Sequence, residues 1–244
     1  MPTSILLSGS GSIRFGDSFR SVMQARVLLA TIVAIAGVLP CAAQVPGPAY
    51  DRQEILSIEI WSIDDTILHG DTPPEERFLR EAQYTISGML YGWSFRYVPA
   101  SRPRRVQQEW DLEPSAEIPR GDEALRVRDV AYRENMFYGV VDFSLDRLDR
   151  ARRDAWSGVR TSRSGGVGTA DLMGGTDAKL AAIEEAIRDA VDRHLREVVP
   201  NRPREAWGDV MLAEPPRIRP VAGTYEARVT VLLRIEAVRP YLAY

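Results

Sequence analysis

Apolar and polar positions alternate with a period of two over residues 54–63 (EILSIEIWSI). Leu56, Ile58 and Ile60 fall on one side and Ser57, Glu59 and Trp61 on the other, which predicts a half-buried strand. The period then changes to that of a helix. Phe78, Leu79, Ala82, Ile86, Met89 and Leu90 recur at helical spacing, with Thr72 as the cap, Pro73 in the first turn and Glu75 three residues on. This helix is predicted to run to about Tyr91, where Gly92 ends it. WSFRYV (93–98) reads as a short aromatic strand whose large side chains are expected to be buried. Residues 99–123, with four prolines, read as an irregular connection. A strand pair is predicted over 124–130 and 137–145, turning near Glu134 and Asn135, with Val141, Phe143 and Leu145 on one face. DRLDRARRDAW (146–156) is a short charged helix. The glycine-rich stretch 158–175 reads as a flexible linker loop. A second helix begins at Thr176 or Asp177 and stops at Pro200, with Leu180, Ile183, Ile187, Ala190, Val191, Leu195 and Val198 as its apolar stripe. A further proline-rich connection leads to EARVTVLLRIE (226–236). There Ala227, Val229, Val231, Leu233 and Ile235 share a face opposite Arg228, Thr230, Arg234 and Glu236. Alternation of this kind fits an antiparallel sheet with one solvated side.

The two halves of the pattern resemble each other. VPASRPR (98–104) matches VPNRPR (199–204), RVRDVA (126–131) matches RIRPVA (217–222), and Val141, Phe143 and Leu145 match Val231, Leu233 and Ile235. Leu79, Ile86 and Leu90 align with Leu180, Ile187 and Val191. The predicted fold is therefore α+β, with two similar helix-plus-β-hairpin units packed on antiparallel sheet. The expected organisation is a leader and signal peptide over 1–43, a first α+β unit over 44–157, the linker over 158–175 and a second α+β unit over 176–244.

The leader is expected from Met23 to Gln44 (MQARVLLATIVAIAGVLPCAAQ). Arg26 precedes an uncharged apolar run, Val27 to Leu39, and small residues follow, which is the layout of a cleavable secretory signal. The run falls short of the roughly 20 residues that a membrane-spanning helix needs. Cleavage after Ala43 removes Cys41, the only cysteine, and leaves a chain without disulfide or thiol chemistry. Removing Arg14, Arg20, Arg26 and Asp17 from the chain's 31 basic and 34 acidic residues leaves 28 and 33, a net charge of about −5. That balance argues against nucleic acid as a partner.

Candidate chemistry is sparse. SIDDTIL (62–68), directly after the first strand, is similar to the first motif of the haloacid-dehalogenase-like phosphatases, an apolar strand followed by Asp-x-Asp-x-Thr. The resemblance implies a nucleophile position at Ser62, an acid/base at Asp64 and the threonine position at Thr66. A serine cannot form the aspartyl phosphate of that family or give its carboxylate to Mg²⁺. Asp64, Asp65 and His69 form an alternative polar site. Arg102, Arg104, Arg202 and Arg204, in the repeated Arg-Pro-Arg segments, are candidate anion-binding residues, since guanidinium groups grip carboxylate and phosphate in bidentate fashion. His194 sits near the end of a helix. The one lysine, Lys179, falls inside the second helix. HExxH, GxSxG and P-loop signatures are absent. No catalytic residue, cofactor or metal ligand is assigned. The expected protein is exported, periplasmic or envelope-associated, non-catalytic and without a stable membrane span after cleavage, with an envelope protein as partner. A hydrolase centred on Asp64, Asp65 and His69, and an anion or small-ligand binder using the repeated arginines, are the alternatives.

Overall fold

The computed structural model describes residues 54–63, 72–158, 160–199 and 203–240. In chain order its elements are β1 (Glu54–Ile63), α1 (Pro74–Leu90), β2 (Trp93–Val98), β3 (Glu109–Pro114), β4 (Leu125–Arg133), β5 (Met136–Leu145), α2 (Arg147–Ala155), β6 (Ser162–Asp171), α3 (Gly175–Val198), β7 (Glu205–Leu212), β8 (Arg217–Val221) and β9 (Thr224–Arg239). Single 3-10 turns occupy Arg102–Arg104 and Leu172–Gly174. The fold is α+β and its strand pairs are antiparallel. One sheet has the order β1-β5-β4; the other runs β3-β2-β7-β9-β6, with β8 also on β9.

In the smaller sheet the predicted alternation decides the faces. Ile58 opposes Val141 and Leu56 opposes Phe143, so these side chains share the core face. On the other face the Asp142 carboxylate accepts from Ser57 Oγ (2.6 Å) and Arg128 Nε (2.6 Å) in solvent. Helix α1 covers the core face with Phe78, Ala82, Ile86 and Met89. Phe78 meets Phe137 edge-on, ring centroids 5.4 Å apart. Gly92, at φ 69°, turns the chain out of α1 with its N–H donating to the Ser87 carbonyl, a left-handed position that suits glycine. The aromatic strand then runs into the core as expected, with Trp93, Phe95 and Tyr97 all buried.

Helix α3 lies on β6 and β9 of the larger sheet. Ile183, Ile187, Val191 and Leu195 are fully buried there, each contributing about 1.5–3 kcal/mol relative to exposure. Ala182, Ala186 and Ala190 bring the helix backbone down onto the glycines of β6. A Cβ on Gly166 would lie 2.0 Å from the Ala186 carbonyl oxygen, and one on Gly168 2.3 Å from that of Ala182.

This contact corrects the linker expected over 158–175: its middle is β6, paired with β9 from Ser162↔Leu233 to Asp171↔Thr224. The glycines serve close helix approach rather than flexibility. Two further segments read as connections are strands. β3 is an edge strand that alternates Glu109, Asp111 and Glu113 with Trp110 and Leu112. β7 lies between β2 and β9 and is buried on both faces, which erases the alternation by which a strand is recognised. The helix starts also move. Pro73 and Gly174 stand at the N-caps, without side-chain capping bonds, and Thr176 and Asp177 lie inside α3. Val198, at the end of the expected stripe, is exposed. The matched Val-Pro segments sit differently, since Val98 ends a strand whereas Val199 follows a helix. The leader, Cys41 and the expected cut lie outside the described residues. Among the described residues no helix is long and apolar enough to cross a membrane.

Candidate functional site

The C-terminal end of β1 is where buried charge collects. Lys179, on the first turns of α3, is 3% exposed and donates to Glu81 Oε2 of α1 at 2.7 Å and to the Trp61 carbonyl. Its ammonium also lies 3.9 Å from the centre of the Trp61 ring. Arg77, one turn before Glu81 and also buried, donates to the Ile63 carbonyl at 2.8 Å. Tyr225, at the start of β9, closes the group with its ring 6.1 Å from Trp61. The last carbonyls of β1 are thus held by cations from two helices.

Burial pushes the Glu81 carboxyl above its ordinary value, against the pull of Lys179, and pushes Lys179 down, against the pull of Glu81. The charge of each group favours the ionised form of the other. Burial likewise drives Tyr225 up to about 12, with the Glu81 charge adding and Arg77 opposing. The Lys179 ammonium has its hydrogens engaged by Glu81, the Trp61 carbonyl and the indole face. The arrangement fixes β1, α1 and α3 to one another and presents no reacting atom to solvent.

A cleft of about 490 Å³ opens beside it, between α1, α3 and the β3 side of the larger sheet. Tyr84 and Trp93 form its aromatic wall, with rings 5.4 Å apart. Leu112, Ile118 and Leu180 supply further apolar lining. Tyr84 donates to Glu184 at 3.2 Å, and burial first, then the Glu184 charge, raises its hydroxyl pKa. Arg80 of α1 pairs with Asp177 of α3 across the rim at 2.6 Å. Arg80, Gln83, Glu117, Asp177 and Glu184 line it as well, so polar and apolar surface are about equally represented.

The residues singled out from the sequence fall in different places. Asp64, Asp65, His69 and Arg202 lie outside the described residues. Ser62 is buried at the end of β1. Arg102 and Arg104 are exposed on the turn after β2, and Arg204 precedes β7, its N–H donating to the Arg239 carbonyl at 2.7 Å. Since Tyr97 of β2 opposes Ala206 of β7, these three arginines stand at the same end of the sheet. His194 is buried on α3. Among the described residues no three His, Cys, Asp or Glu side chains converge as a metal site. Sequence reasoning missed the Lys179–Glu81 pair. The available signal was a single lysine in a chain that otherwise uses arginine.

The chain belongs to an uncharacterised protein family whose model matches residues 44–241. It is 24% identical over 173 residues to an uncharacterized protein of Treponema pallidum (strain Nichols), a match covering 71% of this chain and 73% of that protein. No solved structure gives a significant match.

Proposed function

We propose that this is an exported, non-catalytic protein of the periplasm or cell envelope that binds a protein partner or takes part in an envelope assembly. The observation that carries the reading is the span of the family match, which begins at residue 44, directly after the cut expected at Ala43. The apolar leader supplies the address, and the internal use of Lys179, Arg77 and Glu81 accounts for the most deeply buried charges without catalysis. Fractionation followed by N-terminal sequencing tests it. The expected result is a chain beginning at Gln44 in the periplasmic or envelope fraction, isolated with a specific envelope protein. An uncut chain in the cytosol, or Mg²⁺-dependent phosphatase activity abolished by Asp64→Ala, overturns it.

The two-unit reading belongs with this proposal. The order β1-α1-β2, then the β4–β5 hairpin, parallels β6-α3-β7, then the β8–β9 hairpin, and β1 pairs β5 as β6 pairs β9. On this reading the second unit begins with β6. The anion-binding alternative is favoured by one observation, the shared end of the sheet at which Arg102, Arg104 and Arg204 stand. Calorimetric titration with inorganic phosphate tests it, and binding unchanged by Arg102→Ala with Arg204→Ala rejects it.

A further inference from the structure

Among the described strands that leave an edge unpaired, two are complementary. β3 ends the larger sheet and pairs only with β2; β4 ends the smaller sheet and pairs only with β5. β3 reads Glu109-Trp110-Asp111-Leu112, acids on the open face and apolar residues on the core face. β4 reads Leu125-Arg126-Val127-Arg128, arginines on the open face and apolar residues on the core face. Val127 is 40% exposed although it opposes the buried Val141, because β4 lies at the margin of the core.

The backbone directions agree as well. Ser115 N–H donates to the Gly92 carbonyl and Ser144 N–H to that of Ala124, both at 3.0 Å. With the alternation of an antiparallel ladder, the backbone groups of Trp110 and Leu112, and of Leu125 and Val127, therefore point away from their own sheets. A single antiparallel register then satisfies every requirement. Trp110 faces Val127 and Leu112 faces Leu125 as hydrogen-bonded apolar pairs, while Glu109 faces Arg128 and Asp111 faces Arg126 as charge pairs, in addition to the bonds that Glu109 and Asp111 already accept from Arg96 and that Arg128 gives to Asp142 and Asp129. The Leu125 N–H is already held by the Asp122 carbonyl at 3.1 Å, so that pair is joined through Leu112 N–H alone. The bulge between Arg128 and Ala131, with Asp129 at φ 52°, ends the straight edge where the register ends.

We infer that the chain associates head to tail with a second copy of itself, the β3 edge of one molecule adding to the β4 edge of the next. The inference rests on the assembly reading above and names the partner; it requires neither export nor cleavage. Because the two surfaces differ, the contact is heterologous and propagates into a ring or an open row unless capped. A four-residue edge buries little area, so the contact is a weak one, and its exposed ion pairs make it weaken with salt.

Sedimentation of the purified protein over a concentration series tests this, with two variants that block one edge each. Val127→Pro and Leu112→Pro remove N–H groups that point out of their sheets, which leaves the internal ladders intact; circular dichroism melts confirm that each variant is folded. The wild type is expected to form oligomers beyond dimer at low salt and to dissociate in high salt. Each variant alone is expected to be monomeric, and an equimolar mixture to form a 1:1 dimer and nothing larger. A wild type that stays monomeric at millimolar concentration overturns the inference. So does either variant associating alone as the wild type does, since that marks a like-with-like contact. Failure here, with the chain still found processed and bound to an envelope protein, leaves the proposed function standing and removes self-association from it.

Discussion

Removing the ammonium of Lys179 tests the role assigned to the buried ion pair. Lys179→Met keeps the length of the side chain and leaves Glu81, 5% exposed, without its counter-ion 2.7 Å away. Stranding one member of a buried pair costs about 3–5 kcal/mol. For a chain of this size that corresponds to a fall in Tm of roughly 6–20 °C, at about 2–4 °C per kcal/mol. The loss should depend on pH with a defined sign. The carboxyl of Glu81 already titrates above its ordinary 4.5 in the folded protein, and without Lys179 it moves further up. A group raised on folding contributes stability below its unfolded value and loses it as pH rises through the folded one. The gap between wild type and variant should therefore be smallest in acid and widen as pH rises above the ordinary 4.5 of the carboxyl. Replacing both partners, Lys179→Met with Glu81→Leu, should recover most of the stability, because apolar pairs substitute well for buried ionic ones. Thermal melts followed by circular dichroism over a pH series measure all three proteins. A single variant that melts within 2 °C of wild type at every pH, or a double variant less stable than Lys179→Met alone, refutes the reasoning.

Three other outcomes follow from the packing. Gly168→Ala places a Cβ 2.3 Å from the Ala182 carbonyl oxygen and the Ala186 nitrogen of α3; backbone must move, and urea unfolding should show a loss of about 1–3 kcal/mol or more. Asp146 caps α2, accepting from the Asp149 N–H at 2.7 Å in a reciprocal capping box, so Asp146→Ala should cost about 1 kcal/mol in the same assay. Tyr225, whose hydroxyl is pushed to about 12 from 10.0, favours the folded state below its unfolded value and ceases to do so as pH rises through the folded one. Tyr225→Phe should therefore flatten the alkaline fall in stability between those two values, and an unchanged alkaline profile counts against the burial of that hydroxyl.

The candidate site was legible only in part, for reasons of distance along the chain. Lys179 and Glu81 are 98 residues apart, and nothing local in either helix marks them as partners. Lys179 interrupts an apolar stripe at a position where a solvated side chain would be unremarked. Its neighbour Leu180 carries the helical pattern in either case. The aromatic strand was read correctly because burial of Trp93, Phe95 and Tyr97 follows from size and alternation alone. The Tyr84 hydroxyl, by contrast, meets Glu184 across two helices, a pairing that depends on how α1 and α3 are set side by side.

The same division governs the fold. β1, β5 and β9 announce themselves because each has one dry face and one wet face, so the sequence alternates as the side chains do. β6 hides for the opposite reason. A strand that receives a helix at backbone contact distance must give up its side chains on that face, and Ser164, Gly166 and Gly168 then spell the composition of a linker. The distinguishing information lies in α3, where Ala182, Ala186 and Ala190 recur at spacing four on the face that meets those residues. Ser164 Oγ donates to the Ala190 carbonyl at 2.8 Å, and the Val167 N–H donates to Asp189 Oδ2 at 2.9 Å. Small residues on a helix face and small residues on a strand face are each ambiguous alone. Taken as a pair, in a strand and the helix that follows it, they predict contact, because only surfaces with the smallest side chains or none can approach so closely.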